Sequence, residues 1–323
     1  MARNYYIFKS GRLKRKQNTL FLETDDMKRP IPVEEVEQLF VFGEIDLNTR
    51  FLDFISKNGI VIHFFNHYGF YTGTFYPRES LLSGTLIIKQ VEHYLDSEKR
   101  LKIARAFVEG ALHNIKRNIE KREGFEDKKE SIARIMKELR DARNIQELMS
   151  YEASARRIYY SCWEDITGWI FEERTIRPPE NPLNALLSFG NSLVYATVLK
   201  EIYVTALNPT ISYLHEPSER RFSLALDVSE VFKPVLVDRL IFRLINLGQI
   251  KEDDFIKELN FSYLNEKGRK IFVKAYDEFL NTTLVHRNLK RKVKYGSFIK
   301  LELYKLIKHL LGEKEYKPLK VWW

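Results

Sequence analysis

Glu152, His215, Asp227 and Glu230 are the residues of this 323-residue chain whose types could do chemistry together. Three of them stand in "ISYLHEPSERRFSLALDVSE", where a histidine, an arginine pair and an Asp-x-x-Glu enter an otherwise apolar segment. Charged groups are costly to bury without partners. Either this stretch decorates a surface and caps a helix, or it holds a metal against a phosphate. A lone histidine such as His215, placed after the turn-like "LNPTISYLH" and before Pro217, is by default a hydrogen-bonded structural residue and otherwise a ligand. Asp227 as an N-cap with Glu230 three residues on would form a capping-box-like arrangement. The same spacing puts both carboxylates on one helix face. If that helix is packed, as "VFKPVLVDRLIFRLINLG" suggests, the two charges need a cation.

Glu152 extends the stripe of Ile145, Leu148 and Met149, so its carboxylate is aimed inward beside the small Ala153, Ser154 and Ala155. Arg156, one turn on, offers the plain alternative of an i,i+4 ion pair worth a few tenths of a kcal/mol. Together Glu152, His215 and the Asp227/Glu230 pair form a mixed nitrogen and oxygen donor set for a divalent ion. Carboxylates favour Mg²⁺ or Mn²⁺, and the imidazole tilts the choice toward Mn²⁺ or another transition metal. Only the fold can bring Glu152 to His215.

Other constellations are weaker. "HFFNH" lacks the Glu of HExxH and sits in strand-like sequence, where side chains four apart lie too far apart to chelate one ion. Neither a Walker A loop nor GxGxxG occurs. Cys162, the single cysteine, lies between apolar and aromatic neighbours and reads as a core thiol in a reducing compartment.

The chain carries 53 basic against 44 acidic residues, a net +9, which favours a polyanion such as nucleic acid or simply a solvated basic surface. Arg177, the Arg220–Arg221 pair and "HRNLKRKVKYGSFIK", with Lys290, Arg291 and Lys292, are candidate DNA contacts. The last stretch reads equally as a solvated helix face. In "RPPENPLNALLSFGNSLVY" Asn181 caps and Pro182 opens a helix. Its Ser188, Gly190, Asn191 and Ser192 suit tight packing as well as phosphate contact.

The elements that must position these residues divide in two. "NYYIFKS", "NTLFLET", "EQLFVFG", "GIVIHFF" and "FYTGTFYP" predict antiparallel strands, with one helix after Asn48 that ends at Gly59. After Pro77 helical periodicity dominates. It predicts one long run from "LIIKQV" to "NIEKR", a polar connection at "EGFEDKKES", and a second run from "SIARIM" to "WEDI". The fold class is α+β: a small β domain over residues 1–78, then a larger all-α domain over 79–323. No window approaches the roughly 18 apolar residues of a membrane span, and the N-terminus lacks a secretory core, so the cytoplasm is expected.

"YEASARRIYY", "RPPENPLNALLSFGNSLVYA" and "YLHEPSERRFSLALDVSEVFKPVLVDR" closely resemble the CRISPR-associated adaptation endonuclease family, the metal-dependent integrases of spacer acquisition. The resemblance covers essentially the whole chain, including "GTFYPRES". It implies an N-terminal β domain, a helical catalytic domain and a homodimer. It also implies metal ligands at Glu152, His215 and Glu230, with a neighbouring catalytic acid at Asp227. Many family members carry Asp at the third ligand position, and the extra methylene of Glu230 changes the coordination geometry. The resemblance implies attack of a DNA 3′-hydroxyl, or of water, on a phosphodiester, on double-stranded or branched DNA, with Mg²⁺ or Mn²⁺. Arg220 and Arg221 would help hold phosphates or pair with Glu216 or Glu219. A small dimeric adaptation protein would bridge two dimers. The rival readings are a non-catalytic nucleic-acid-binding scaffold and a branched-DNA repair nuclease. The tail "GEKEYKPLKVWW" is expected to be poorly ordered, with partner docking as its alternative.

Overall fold

Aromatic and β-branched runs do form strands at the start of the chain. The computed structural model describes residues 2–176, 178–218, 221–258 and 261–323. Strands β1 (Arg3–Ile7), β2 (Gly11–Lys16), β3 (Thr19–Glu23), β4 (Lys28–Pro32), β5 (Val36–Val41) and β6 (Ile45–Asp46) precede helix α1 (Thr49–Lys57), with β7 (Val61–Phe65) and β8 (Tyr71–Phe75) after it. They build two four-stranded sheets, ordered β1-β5-β7-β8 and β4-β3-β2-β6. The second is antiparallel except where β2 meets β6. The first is parallel from β1 through β5 to β7, and only β7–β8 is antiparallel. Strand β4 contains two prolines and lies at a sheet edge, where a missing N–H is tolerated.

Leu13, Leu20, Leu39, Phe51, Ile55 and Ile62 are buried between these elements. Asn48 caps α1, its Oδ1 accepting from the Phe51 N–H at 2.9 Å, and Gly59 follows in the left-handed region at φ +64°. Phe40, Phe42 and Phe65 turn the other way, into the core of the helical part. There the Phe42 and Phe189 rings lie 5.8 Å apart.

The helical part begins with α2 (Gly84–Leu95) and α3 (Ser97–Ile119). The single long run read from the sequence breaks at Asp96, whose carboxylate accepts from the N–H groups of Glu98 and Lys99 and so starts a new helix. Helix α4 (Glu126–Glu138) begins inside the stretch read as a polar connection. Then come α5 (Ile145–Tyr160), α6 (Trp163–Thr167), α7 (Pro182–Tyr203) and α8 (Ser223–Lys233). A π-helical turn (Pro234–Asp238) joins α8 to α9 (Arg239–Asn246). Asn181 caps α7 as expected. Gly190 answers to packing, since a Cβ there would meet Val237 Cγ1 at 2.5 Å.

The remainder is not purely helical. Hairpins β9 (Phe255–Glu258)/β10 (Phe261–Leu264) and β11 (Thr283–Val285)/β12 (Lys292–Lys294) flank α10 (Glu266–Asn281), and α11 (Tyr295–Leu310) follows.

The tail is ordered, against expectation. Tyr316 donates to Glu302 at 2.7 Å, and Leu319 N–H donates to the same oxygen at 2.9 Å. Asn114 donates to the Leu319 carbonyl and accepts from Val321 N–H. Trp323 packs on Tyr295 and Phe298. Distant helices supply these anchors, which composition cannot reveal. Among the described residues no helix is long and apolar enough to cross a membrane.

Candidate active site

Three elements carry the candidate residues: α5 holds Glu152, α8 holds Asp227 and Glu230, and the loop before α8 holds His215. On α5 the inward face runs Leu148, Ala155 and Tyr159, all buried, and Glu152 falls between them. Met149, placed on that stripe from the sequence, instead faces solvent at 40% exposure. The i,i+4 bond of Arg156 to Glu152 is present at 2.8 Å. Arg156 does more, because its guanidinium also donates to Glu230 on α8. Lys233, one turn beyond Glu230, pairs with the same carboxylate. Burial would push the Glu230 carboxyl up, but Lys233 and Arg156 prevail and hold it well below the usual carboxylate range.

Asp227 is not a helix cap. It lies inside α8, fully buried, and its carboxylate reaches back to the loop. It accepts the N–H groups of Tyr213 at 2.6 Å, Leu214 at 2.9 Å and His215 at 3.0 Å, and the His215 Nδ1 proton at 2.8 Å. The loop folds over α8 because its orphan N–H groups find an ionised acceptor there. Burial disfavours the His215 imidazolium, but the hydrogen bond and charge of Asp227 outweigh that and raise its pKa. With Nδ1 fixed, Nε2 is the nitrogen left to act.

The loop is clamped from outside as well. Arg100 on α3 donates to the Tyr213 carbonyl at 2.9 Å and pairs with Glu216 at 2.5 Å, and Tyr94 donates to Glu216 at 3.1 Å. Glu216 is thereby taken, so it is not the partner of Arg221. Gln90 and Asn208 exchange two further bonds at the loop's start. Arg100, Lys233 and the second contact of Arg156 were missed from the sequence. Lys233 had a readable i,i+3 spacing, whereas Arg100 lies more than a hundred residues from its partners and carried no local signal.

Beneath the site burial raises the Asp238 carboxyl to about 7, more than Arg156, Tyr159, Lys233 and Arg174 can lower it. Arg174 in turn holds the buried Asn184 and Ser188 of α7, each at 3.0 Å.

Glu152 and Glu230 thus meet through Arg156, and His215 lies close enough to Glu230 for each to shift the other's titration. Two carboxylates and an imidazole whose other nitrogen is held by a buried acid suit a divalent ion. In this arrangement cationic side chains stand at both carboxylates. Among the described residues no three acidic, His or Cys side chains form one coordination group.

Of the candidate DNA contacts, Arg177 and Arg220 lie outside the described residues, as does Glu219. Arg221 is exposed, with its guanidinium over the Phe222 ring. Lys290, Arg291 and Lys292 are exposed at the β11–β12 hairpin, which replaces the helix face read from the sequence.

Comparison with known proteins adds a family. The family model "CRISPR associated protein Cas1" matches residues 5–278. The chain is 61% identical, over 99% of its length and all of the relative, to the CRISPR-associated endonuclease Cas1 2 of Moorella thermoacetica. A solved Cas1 protein of Thermotoga maritima is 47% identical and superposes with a TM-score of 0.89 over 98% of this chain and 99% of that one. A casposase bound to its integration product shares the fold, with a TM-score of 0.87 at 20% identity over 98% of this chain and 93% of that one.

Proposed function

The chain belongs to the CRISPR-associated Cas1 family, and from that premise we propose that it inserts foreign DNA fragments into a CRISPR array by 3′-hydroxyl attack on a phosphodiester. It is an endonuclease of that family, so the same centre cuts strands when water is the nucleophile. Its chemistry requires a divalent metal ion, and we assign Mn²⁺ or Mg²⁺ to Glu152, His215 and Glu230. The observation that carries this reading is the pairing of His215 Nδ1 with buried Asp227 beside Glu230. A bound ion would polarise a phosphodiester oxygen and lower the barrier to attack. Asp227 acts as a positioning residue, orienting the imidazole and leaving Nε2 as donor. Arg156 and Lys233 neutralise the two carboxylates until the ion takes that role, and afterwards their charge is available to a scissile phosphate. Arg177, Arg220, Arg221, Lys290, Arg291 and Lys292 contact DNA backbone. The protein works as a homodimer joined through residues 1–78, on double-stranded and branched DNA, with a small dimeric adaptation protein bridging two dimers.

The test is strand joining. Wild type and Glu230→Ala are incubated with a short duplex bearing 3′-hydroxyls, a supercoiled repeat-containing plasmid, the adaptation partner and Mn²⁺ or Mg²⁺, with circular dichroism checking the fold. Joined product from wild type alone is the expected result. If a folded Glu230→Ala protein joins as well as wild type, the metal assignment is wrong. If both bind DNA and neither joins nor cuts, the chain is a scaffold.

A further inference from the structure

Away from the metal residues, a cleft of about 560 Å³ opens between the end of α3 and α9, with Trp323 at its rim. Arg117, Lys121, Arg122, Arg239 and Arg243 line it, and no Asp or Glu side chain does, though Arg117 is ion-paired with neighbouring Glu120. Among the described residues Lys121, Arg122, Arg239 and Arg243 make no ion pair with an acidic side chain. Arg239 donates to Asn118 Oδ1 at 2.7 Å and faces the Trp323 carbonyl at 3.4 Å. The Arg122 guanidinium sits 5.4 Å from the Phe242 ring. Lys121 and Arg243 are exposed at the mouth. Four cationic side chains held together without a paired acidic side chain repel one another, an arrangement that favours an anionic occupant.

Two features narrow the occupant. The Arg122 guanidinium, backed by the Phe242 ring, gives the cleft a flat cationic surface, and Trp323, whose indole packs on Tyr295 and Phe298, lines it alongside; bases stack on such planes. Positive charge also continues from it along the surface. The tail packs against the β11–β12 hairpin, where Arg287 lies over the Trp322 ring at 5.0 Å and Lys290, Arg291 and Lys292 are exposed. Asn118 ties the cleft floor to the catalytic helix, donating to the Tyr159 hydroxyl at 3.0 Å two turns beyond Glu152 on α5.

The geometry points to a second nucleic-acid site, in which an unpaired nucleotide of a DNA strand lodges in this cleft. Its phosphate meets Lys121 and Arg243, and its base stacks on Trp323 and Arg122. This rests on the reading of the chain as an enzyme of DNA. It adds a single-strand contact that needs no metal, at the Asn118–Tyr159 contact about two turns along α5 from Glu152.

Full-length protein in EDTA is titrated into a fluorescent, 5′-phosphorylated dT8 strand at several salt concentrations. Lys121→Ala/Arg243→Ala is expected to weaken binding about tenfold and to flatten the salt dependence by roughly one ion released. Trp323→Leu is expected to weaken it about fivefold while leaving binding of a plain duplex unchanged. The proposal is overturned if the folded double variant binds dT8 as wild type does, if wild type does not bind it, or if an octaglutamate peptide displaces it more strongly than unlabelled dT8. Strand joining by wild type with the partner, run alongside, separates the two failures. Joining with an indifferent cleft sinks only the cleft, whereas absence of joining sinks the enzyme reading beneath it.

Discussion

His215 and Asp227, twelve residues apart, meet at 2.8 Å between Nδ1 and a fully buried carboxylate oxygen. The same carboxylate gathers three backbone N–H groups, so one side chain fixes both the imidazole and the loop that carries it.

Asp227→Asn therefore has two separable consequences. Losing the ionised acceptor lowers stability by about 3 kcal/mol. Losing the partner of Nδ1 frees the imidazole to turn and lowers metal affinity about 10- to 100-fold. Calorimetric Mn²⁺ titration at a temperature where the variant stays folded checks the second effect. Wild-type affinity in the folded variant would show that Asp227 serves the loop alone.

Arg156 bridges Glu152 and Glu230, all three side chains being less than a fifth exposed. Arg156→Ala leaves two near-buried carboxylates, with Lys233 still paired to Glu230 but no other ion pair at Glu152 among the described residues, and is expected to cost about 3–5 kcal/mol in the metal-free protein. A divalent ion binding the same carboxylates stabilises the folded state by mass action. Mn²⁺ should thus raise the unfolding midpoint more in the variant than in wild type. An equal or smaller rise in the variant would mean that Arg156 and the ion do not compete.

Asn114 anchors the tail with bonds to the Leu319 carbonyl at 3.1 Å and from Val321 N–H at 2.9 Å, and also holds the Val231 carbonyl at 2.9 Å. Asn114→Ala orphans these buried groups, at about 3 kcal/mol. Urea unfolding measures the loss. Trypsin should cut after Lys320 faster in the variant, since that bond must leave its groove to be cleaved.

Periodicity made much of the architecture legible. Asn48 and Asn181 announced their helices, and the strand-to-helix change near Pro77 was visible in composition. Strands β2 and β4 were not, because Gly11–Lys16 buries only Leu13 fully and Lys28–Pro32 is rich in charge and proline. The site was half legible. Its residue types stood in the sequence, and the family resemblance selected among them. Asp227 read as a cap because local spacing cannot show a loop folding back over a helix. Arg156 read as half of a helical pair because its second partner lies 74 residues away.

His63 gives the pH prediction. It is fully buried in β7, between Thr74 Oγ1 at 2.8 Å and Gln38 Oε1 at 3.1 Å. Gln38 spends its amide N–H on Asn4, so its oxygen must accept and His63 Nε2 must donate. The neutral imidazole satisfies both contacts. Burial, helped by the charge of Lys200, depresses its pKa to about 3. The unfolded chain takes up a proton near pH 6.5 and the folded chain does not. Stability is therefore lost as pH falls from about 6.5 toward 3, by up to about 1.4 kcal/mol per pH unit from this residue. His63→Gln can donate to Gln38 and accept from Thr74 without titrating. Urea midpoints measured from pH 7 to pH 4 should fall less steeply in the variant than in wild type. Parallel curves would place the acid sensitivity elsewhere.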